Sequence, residues 1–274
     1  MRVELITMWY NEEFLAPFFL NHYSWVDRIH ILLDADTDDG TESIARRYPN
    51  VVIEPFAFPD MLDDIVKSAA ISARYGTLRD ADYVIVVDSD EFIFTNEILK
   101  PVKTHLAETS KDVYFVNLWQ IYQHETDPPL DPAIPVYRQR RHGDPNMEDP
   151  RNAAYIKPLV VRGGLDLFWG IGNHYIVHDG RQLEWKNRVL HREMALSVAV
   201  EGPEMLQGSH WRLVDLDETI RRRIRNRKAR LSRVNLERRL GAHYHQVREE
   251  DIVKEYLDNR NRPIVIAEPG ETKY

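Results

Sequence analysis

Val84-Ile85-Val86-Val87-Asp88-Ser89-Asp90-Glu91-Phe92 is the stretch that decides the fold. Its four consecutive apolar, β-branched residues read as a strand buried on both faces, as strands of parallel sheets are. The run then breaks into Asp88, Asp90 and Glu91, three acids within four residues. Open α/β sheets take their ligands outside the carboxyl ends of the strands. Carboxylates crowded at such a point repel one another unless a cation lies between them. A hard divalent ion with oxygen ligands, Mn2+ or Mg2+, suits that position. A strand followed by an acidic surface turn is the plainer alternative for the same residues.

Working outward, the pattern repeats. Residues 3–9 form an apolar run ending in Tyr10-Asn11-Glu12-Glu13, a strand followed by a capped loop with acids in the first helical turn. Phe14, Leu15, Phe18, Phe19, His22 and Tyr23 recur at helical spacing, so a helix is expected to about Trp25. A second strand over 29–33 also ends in acid, at Asp34-Ala35-Asp36-Thr37-Asp38-Asp39-Gly40-Thr41. A helix over 42–48, a strand over 51–53, a helix over 61–78 and the strand at 83–87 follow. Strand and helix alternate through short links, which is the signature of an α/β class with a parallel sheet.

Beyond Phe92 the pattern loosens. Strands are expected over 113–119, 156–161 and 174–178, with a Pro-rich, charged loop over 126–150 that is long enough to be functional. Residues 216–240 read as one arginine-dense helix, and a short helix with an extended tail closes the chain from 249.

Composition narrows the partners. The 274 residues are 43% hydrophobic with a formal net charge of −8, which speaks against general nucleic-acid binding. Cysteine is absent, so disulfides, thiolate metal sites and a cysteine nucleophile are excluded. Met1-Arg2-Val3-Glu4-Leu5 has no apolar signal core, and no apolar run is long enough to span a bilayer. A cytoplasmic protein is the expectation.

Three stretches, in order and at matching spacing, carry a resemblance to the family 2-like glycosyltransferases of the GT-A fold. Met8-Trp9-Tyr10-Asn11-Glu12-Glu13 resembles that family's opening strand, residues 34–41 its acidic loop after the second strand, and Asp88-Ser89-Asp90 its Asp-X-Asp motif. Glu91-Phe92 is similar to the branch whose motif runs Asp-X-Asp-Glu-Phe. Ala35 and Asp36 depart from the usual Asp and Gly of the loop. The resemblance implies a single GT-A-type domain over 1–274, with a Rossmann-like nucleotide-sugar half over 1–100 and a mixed, mostly parallel central sheet. An acceptor half over 101–215 and the basic helix with its tail over 216–274 complete it. It implies that Asp88 and Asp90 hold Mn2+ or Mg2+ and the donor diphosphate. It also implies that Asp34 bonds the nucleotide base, with Trp9, Tyr10 and Glu12 lining the base pocket. Glu91 receives no direct role and is expected to brace the loop.

The second half offers further candidates. By analogy His191 is preferred as a third metal ligand, with His174 behind it; each could equally be a half-buried His bonded to a carbonyl. An inverting transferase needs a carboxylate to take the acceptor's proton, and Asp149, in the pair Glu148-Asp149, is the first candidate, with Asp166 the competitor. Trp211 and Arg212, within Ser209-His210-Trp211-Arg212, are expected to contact donor or acceptor, although a tryptophan is more often core. Ile220, Ile224, Leu231 and Val234 make one apolar stripe on the basic helix, which therefore docks with its arginines outward. There it would be a solvated face or would meet an anionic membrane at its inner surface; closing over the donor diphosphate is the third possibility.

The expected activity is transfer of a sugar from a nucleotide-sugar donor to a hydroxyl on a glycan, a lipid-linked acceptor or a small molecule. A nucleotidyltransferase would share the nucleotide half but bring a glycine-rich basic loop after the first strand, which Trp9-Tyr10-Asn11-Glu12-Glu13 does not offer. A catalytically silent carbohydrate- or nucleotide-binding module has no need for mutually repelling acids at two strand ends.

Overall fold

The computed structural model describes residues 1–144, 155–187 and 195–267. The strands are β1 (Val3–Trp9), β2 (Arg28–Asp34), β3 (Val51–Phe56), β4 (Tyr83–Val86), β5 (Glu91–Phe94), β6 (Val113–Tyr122), β7 (His142–Gly143), β8 (Ile156–Arg162), β9 (Leu167–Trp169), β10 (Ile176–His178), β11 (Arg181–Leu183), β12 (Val198–Ala199) and β13 (Leu206–Leu213). The helices that frame them include α1 (Ala16–His22), α2 (Thr41–Ala45), α3 (Asp64–Gly76) and α4 (Val102–Thr109). The architecture is the expected α/β class.

The main sheet runs in the order β3-β2-β1-β4-β8-β6-β13-β5. From β3 to β4 all neighbours are parallel. β8 then enters antiparallel to β4 and β6, β13 lies parallel to β6, and β5 closes antiparallel to β13. Short β9, β10 and β11 form a separate antiparallel sheet. The strands alternate between two cores as period-2 geometry requires. Leu5, Ile31, Ile85 and Val87 face the core beneath α1, whose Phe18 and Phe19 are buried in it. Ile6, Leu32, Val84 and Val86 face the one that holds Ile71 and Tyr75 of α3. That two-sided burial is why β4 is apolar throughout.

Three expectations change. β4 has one parallel and one antiparallel neighbour. β13, between β6 and the edge strand β5, departs from expectation because Gln207, Gly208, Ser209 and His210 break any apolar pattern. Gly208 is needed there: a Cβ would stand 2.7 Å from the Phe92 carbonyl oxygen and 2.6 Å from Leu118 Cδ2. The arginine helix is not one α-helix. It is a short α-helix over Leu216–Ile220 that passes into a π-helical run over Arg221–Arg227 and a 3-10 turn over Lys228–Arg230, followed after a break by Arg233–Arg238. Among the described residues no helix is long and apolar enough to cross a membrane.

Candidate functional site

Topology brings six chain segments to one edge. β1, β2 and β4 run in parallel and end there, and β5 and β8 begin there. β13 reaches the same edge because its His210 pairs with Glu91 at the start of β5. The cleft at this edge has a volume of 640 Å³ and is lined by Trp9, Tyr10, Glu12, Asp34, Asp88, Asp90, His174, Trp211 and Arg212 among others. All eight expected donor-binding residues therefore border one cavity. Two of them offer no accessible ring: Trp9 and Trp211 are 1% and 2% exposed, packed edge-on or tilted against Phe19, Phe18 and Phe92. They are floor, not stacking platforms. Asp149 and His191 lie outside the described residues. Asp166 borders a different cavity, against the C-terminal part of α3 beside Tyr75 and Arg79, and so stands apart from this cleft.

The two acidic loops are knitted together. Asn11, at φ +51°, donates from Nδ2 to Asp38 Oδ1 at 2.6 Å, and Asp38 N donates back to Asn11 Oδ1 at 2.9 Å. Asparagine tolerates that left-handed backbone better than most residues. Glu12 N donates to Thr41 Oγ1 and Gly40 N to Glu13 Oε2. Asp34 accepts from the backbone of Asp36 at 3.0 Å, an Asx turn that aims its other oxygen into the cleft.

Each acid of the cleft has a cation on it. Asp88 takes Lys67 Nζ at 2.7 Å, Asp90 takes Arg222 Nη1 at 2.7 Å, and Asp34 takes Arg230 Nη2 at 2.8 Å. Asp64 takes Arg227 at 2.6 Å, and Glu255 takes both Arg212 and Arg223, at 2.7 and 2.6 Å. Burial alone would raise the carboxyl of Asp88, but Lys67 and then Lys157 pull it down to about 2. Asp90, equally subject to burial, is held well below the carboxylate range by Arg222 and His210. Glu91 does brace the loop: its Oε2 accepts from Asp88 N at 3.0 Å and its Oε1 from the buried Lys157 at 2.6 Å.

The basic segment therefore faces inward, which reverses the expected orientation. Of residues 221–230 only Arg225 and Ala229 are exposed, while Ile220 and Ile224 pack on Leu213 and Ile252. Its irregular winding is the reason. Arg222 and Arg227 are five residues apart, one π-turn of i→i+5 bonding, and Arg230 follows by one 3-10 turn. An α-helix at 3.6 residues per turn would rotate the five-residue step by about 140° off the cleft.

His210, not among the expected ligands His191 and His174, faces Asp90. Its Nδ1 lies 2.9 Å from Gln120 Oε1, its Nε2 3.4 Å from Asp90 Oδ2, and its ring stacks on Tyr155 at 4.8 Å. Its position is set by β13, which pairs His210 with Glu91 at the start of β5 and is too polar to read as a strand locally. His174 borders the cleft behind Gly172, whose φ of +65° and ring contact exclude a side chain. Among the described residues no three His, Asp or Glu side chains converge as a cation site, and Lys67 and Arg222 already take Asp88 and Asp90. Asp88 and Asp90 are the acids that would hold the expected Mn2+ or Mg2+, and His191, the expected third ligand, lies outside the described residues.

Glu12 is the strained acid of the group. Burial raises its carboxyl to about 7; Arg222 opposes that, and Asp90 and Glu218 add to it. The folded state then holds a proton that the unfolded state releases between about 4.5 and 7, so stability falls as pH rises through that window. Glu12→Gln is expected to raise stability above pH 7 by up to about 3 kcal/mol and to change it little at pH 4.5. Urea denaturation at pH 8 and pH 4.5 measures this; an equal effect at both pH values would sink the assignment.

No protein-family model matches the sequence, and no curated protein matches it. Among solved structures, S. aureus TarS residues 1–349 aligns with a TM-score of 0.44 at 15% identity, covering 94% of this chain and 71% of that one. A longer TarS structure aligns at 0.42 and 16%, and this chain spans 43% of it. Glucosyl-3-phosphoglycerate synthase from Mycobacterium tuberculosis, in complex with Mn2+, UDP-glucose and phosphoglyceric acid, aligns at 0.32 and 14% over 60% of this chain and 57% of that one. Likeness at this level carries no argument about activity.

Proposed function

We propose that the chain is a glycosyltransferase of the GT-A type that moves a sugar from a nucleotide-sugar donor to a hydroxyl acceptor. One observation supports this above the rest. The ends of β1, β2 and β4, which carry the three motifs of the resemblance, open into a single cleft, with Tyr10, Asp34, Asp88 and Asp90 all on its wall. The base would stack on Tyr10 and bond Asp34. The diphosphate would lie toward Asp88 and Asp90, where Lys67, Lys157 and Arg222 supply positive charge. A departing nucleoside diphosphate gathers negative charge in the transition state, and preorganised cations facing it lower the barrier.

The transfer we favour is a direct displacement with inversion, in which a carboxylate takes the proton of the acceptor hydroxyl as that oxygen attacks the anomeric carbon. Asp149 is the proposed base. It lies six residues before Tyr155, which borders the cleft. Asp149→Asn should then lower transfer while leaving nucleotide affinity unchanged.

The reading is tested by a thermal-shift panel of UDP, GDP, CDP and dTDP, each with and without Mn2+. One of the four is expected to stabilise the protein, by about 2.7 kcal/mol at a hundredfold excess over its Kd. The panel also reports whether Mn2+ matters. A flat response to all four, in both conditions, would remove the donor assignment.

A further inference from the structure

We propose that Arg230 is an internal ligand of the donor site, a guanidinium that sits where the nucleotide base would sit and must swing away before a nucleotide can seat. The inference rests on the donor reading of the cleft given above. The guanidinium carbon of Arg230 lies 3.6 Å from the centroid of the Tyr10 ring, the separation and face a stacked base would take. Its Nη2 donates to Asp34 Oδ2 at 2.8 Å and to Asp36 Oδ2 at 3.1 Å. Asp34 Oδ1 is taken by the Asp36 backbone, so a base N–H would approach Oδ2 from the cleft, through the space the guanidinium fills. Arg230 is 12% exposed and Asp34 3%. Arginine and base therefore compete for the same space over the Tyr10 ring and beside Asp34.

The exchange does not require the segment to unfold. The Arg230 carbonyl oxygen accepts from Leu62 N at 2.9 Å, Ser232 N donates to Leu62 O at 2.9 Å, and Leu231 is buried. The backbone is thus pinned on either side of a side chain whose own contacts are with the donor acids. At the other end of the cleft Arg222 holds Asp90 at 2.7 Å and Ser89 Oγ at 2.9 Å. Arg222 can turn from these to an arriving diphosphate without leaving the cleft. Arg230 has no such second role, because a base offers no anion to receive it. The site therefore favours nucleotides able to supply both a stacking face and an N–H for Asp34, since only these replace everything that Arg230 gives up.

The test is calorimetric titration of wild type, Arg230→Ala and Asp36→Asn with the nucleoside diphosphate that stabilises the wild type. A site occupied by its own side chain nine-tenths of the time binds about tenfold more weakly than the unblocked site, so Arg230→Ala is expected to tighten binding about tenfold. Asp36 is 72% exposed and holds Arg230 from outside, so Asp36→Asn is expected to tighten binding by a smaller factor. Guanidinium chloride at low millimolar concentration should weaken nucleotide binding to Arg230→Ala while leaving wild type unchanged. Equal or weaker binding by a cooperatively folded Arg230→Ala overturns the proposal and leaves the donor reading standing. If that variant does not fold, Asp36→Asn decides in the same way. If none of the four diphosphates binds any of the proteins, the donor reading falls and the proposal with it.

Discussion

Lys157→Met is expected to cost about 3–5 kcal/mol of stability, the penalty for leaving one charge of a buried pair alone. Lys157 and Glu91 are 4% and 1% exposed and 2.6 Å apart. Burial depresses a lysine's basicity, yet Glu91 and Asp88 more than reverse that and hold Lys157 firmly charged. Without the ammonium, Glu91 faces Asp88 with only the backbone N–H of Asp88 as a donor. Burial already pushes the Glu91 carboxyl up against the pull of Lys157, and losing Lys157 pushes it further. The folded variant then keeps a proton that the unfolded chain releases. Its stability deficit should widen as pH rises above the usual glutamate range and narrow toward pH 4. Adding Glu91→Gln to Lys157→Met should recover a large part of the loss, because the second change removes the stranded charge. Chemical denaturation of the two single variants and the double completes the cycle. Additive losses would show that the pair is not coupled as its geometry requires.

Asp90→Asn is expected to lower sugar-nucleotide turnover by about 10²-fold or more, the scale of losing one preorganised electrostatic group at a reacting centre. Asp90 organises its surroundings through charge: it takes Arg222 at 2.7 Å and faces His210 at 3.4 Å, and its backbone oxygen accepts from Trp211 N at 2.8 Å. The amide keeps the shape and the backbone bond but releases Arg222 toward Glu12, its other acid, 3.4 Å away. The fold should survive, since the backbone contact and the packing beneath it are unaltered. Turnover of the preferred sugar nucleotide, with a melting curve as control, checks this. A cooperatively folded Asp90→Asn that retained wild-type turnover would remove Asp90 from the chemistry.

The nucleotide-facing half of the cleft was legible because its residues follow local rules. A β-branched run ending in acids announces a buried strand and its open end, as Val84 to Asp90 do. Asn11, Asp34 and Thr41 likewise sit at or beside strand and helix ends, with residue types that match their roles. The opposite wall was hidden for equally physical reasons. β13 is polar at His210 because that side chain faces the cleft acids, and at Gln207 because it accepts from Asn117 and Trp119. A strand that faces a site loses the alternation that would reveal it. The arginine segment misled for a related reason. Read at 3.6 residues per turn, its apolar residues form a stripe and its charges point to solvent, whereas the π and 3-10 windings realign Arg222, Arg227 and Arg230 onto the acids.

Local sequence by itself determined the α/β class, the sheet edge that matters and the acids Asp34, Asp88 and Asp90 on it, since strand burial and loop chemistry are encoded within a few residues. Only the tertiary structure decided what neutralises those acids. Ion pairs such as Asp34 with Arg230 and Asp90 with Arg222 join positions far apart in the chain. Their strength depends on burial and distance, which exist only once the chain has folded.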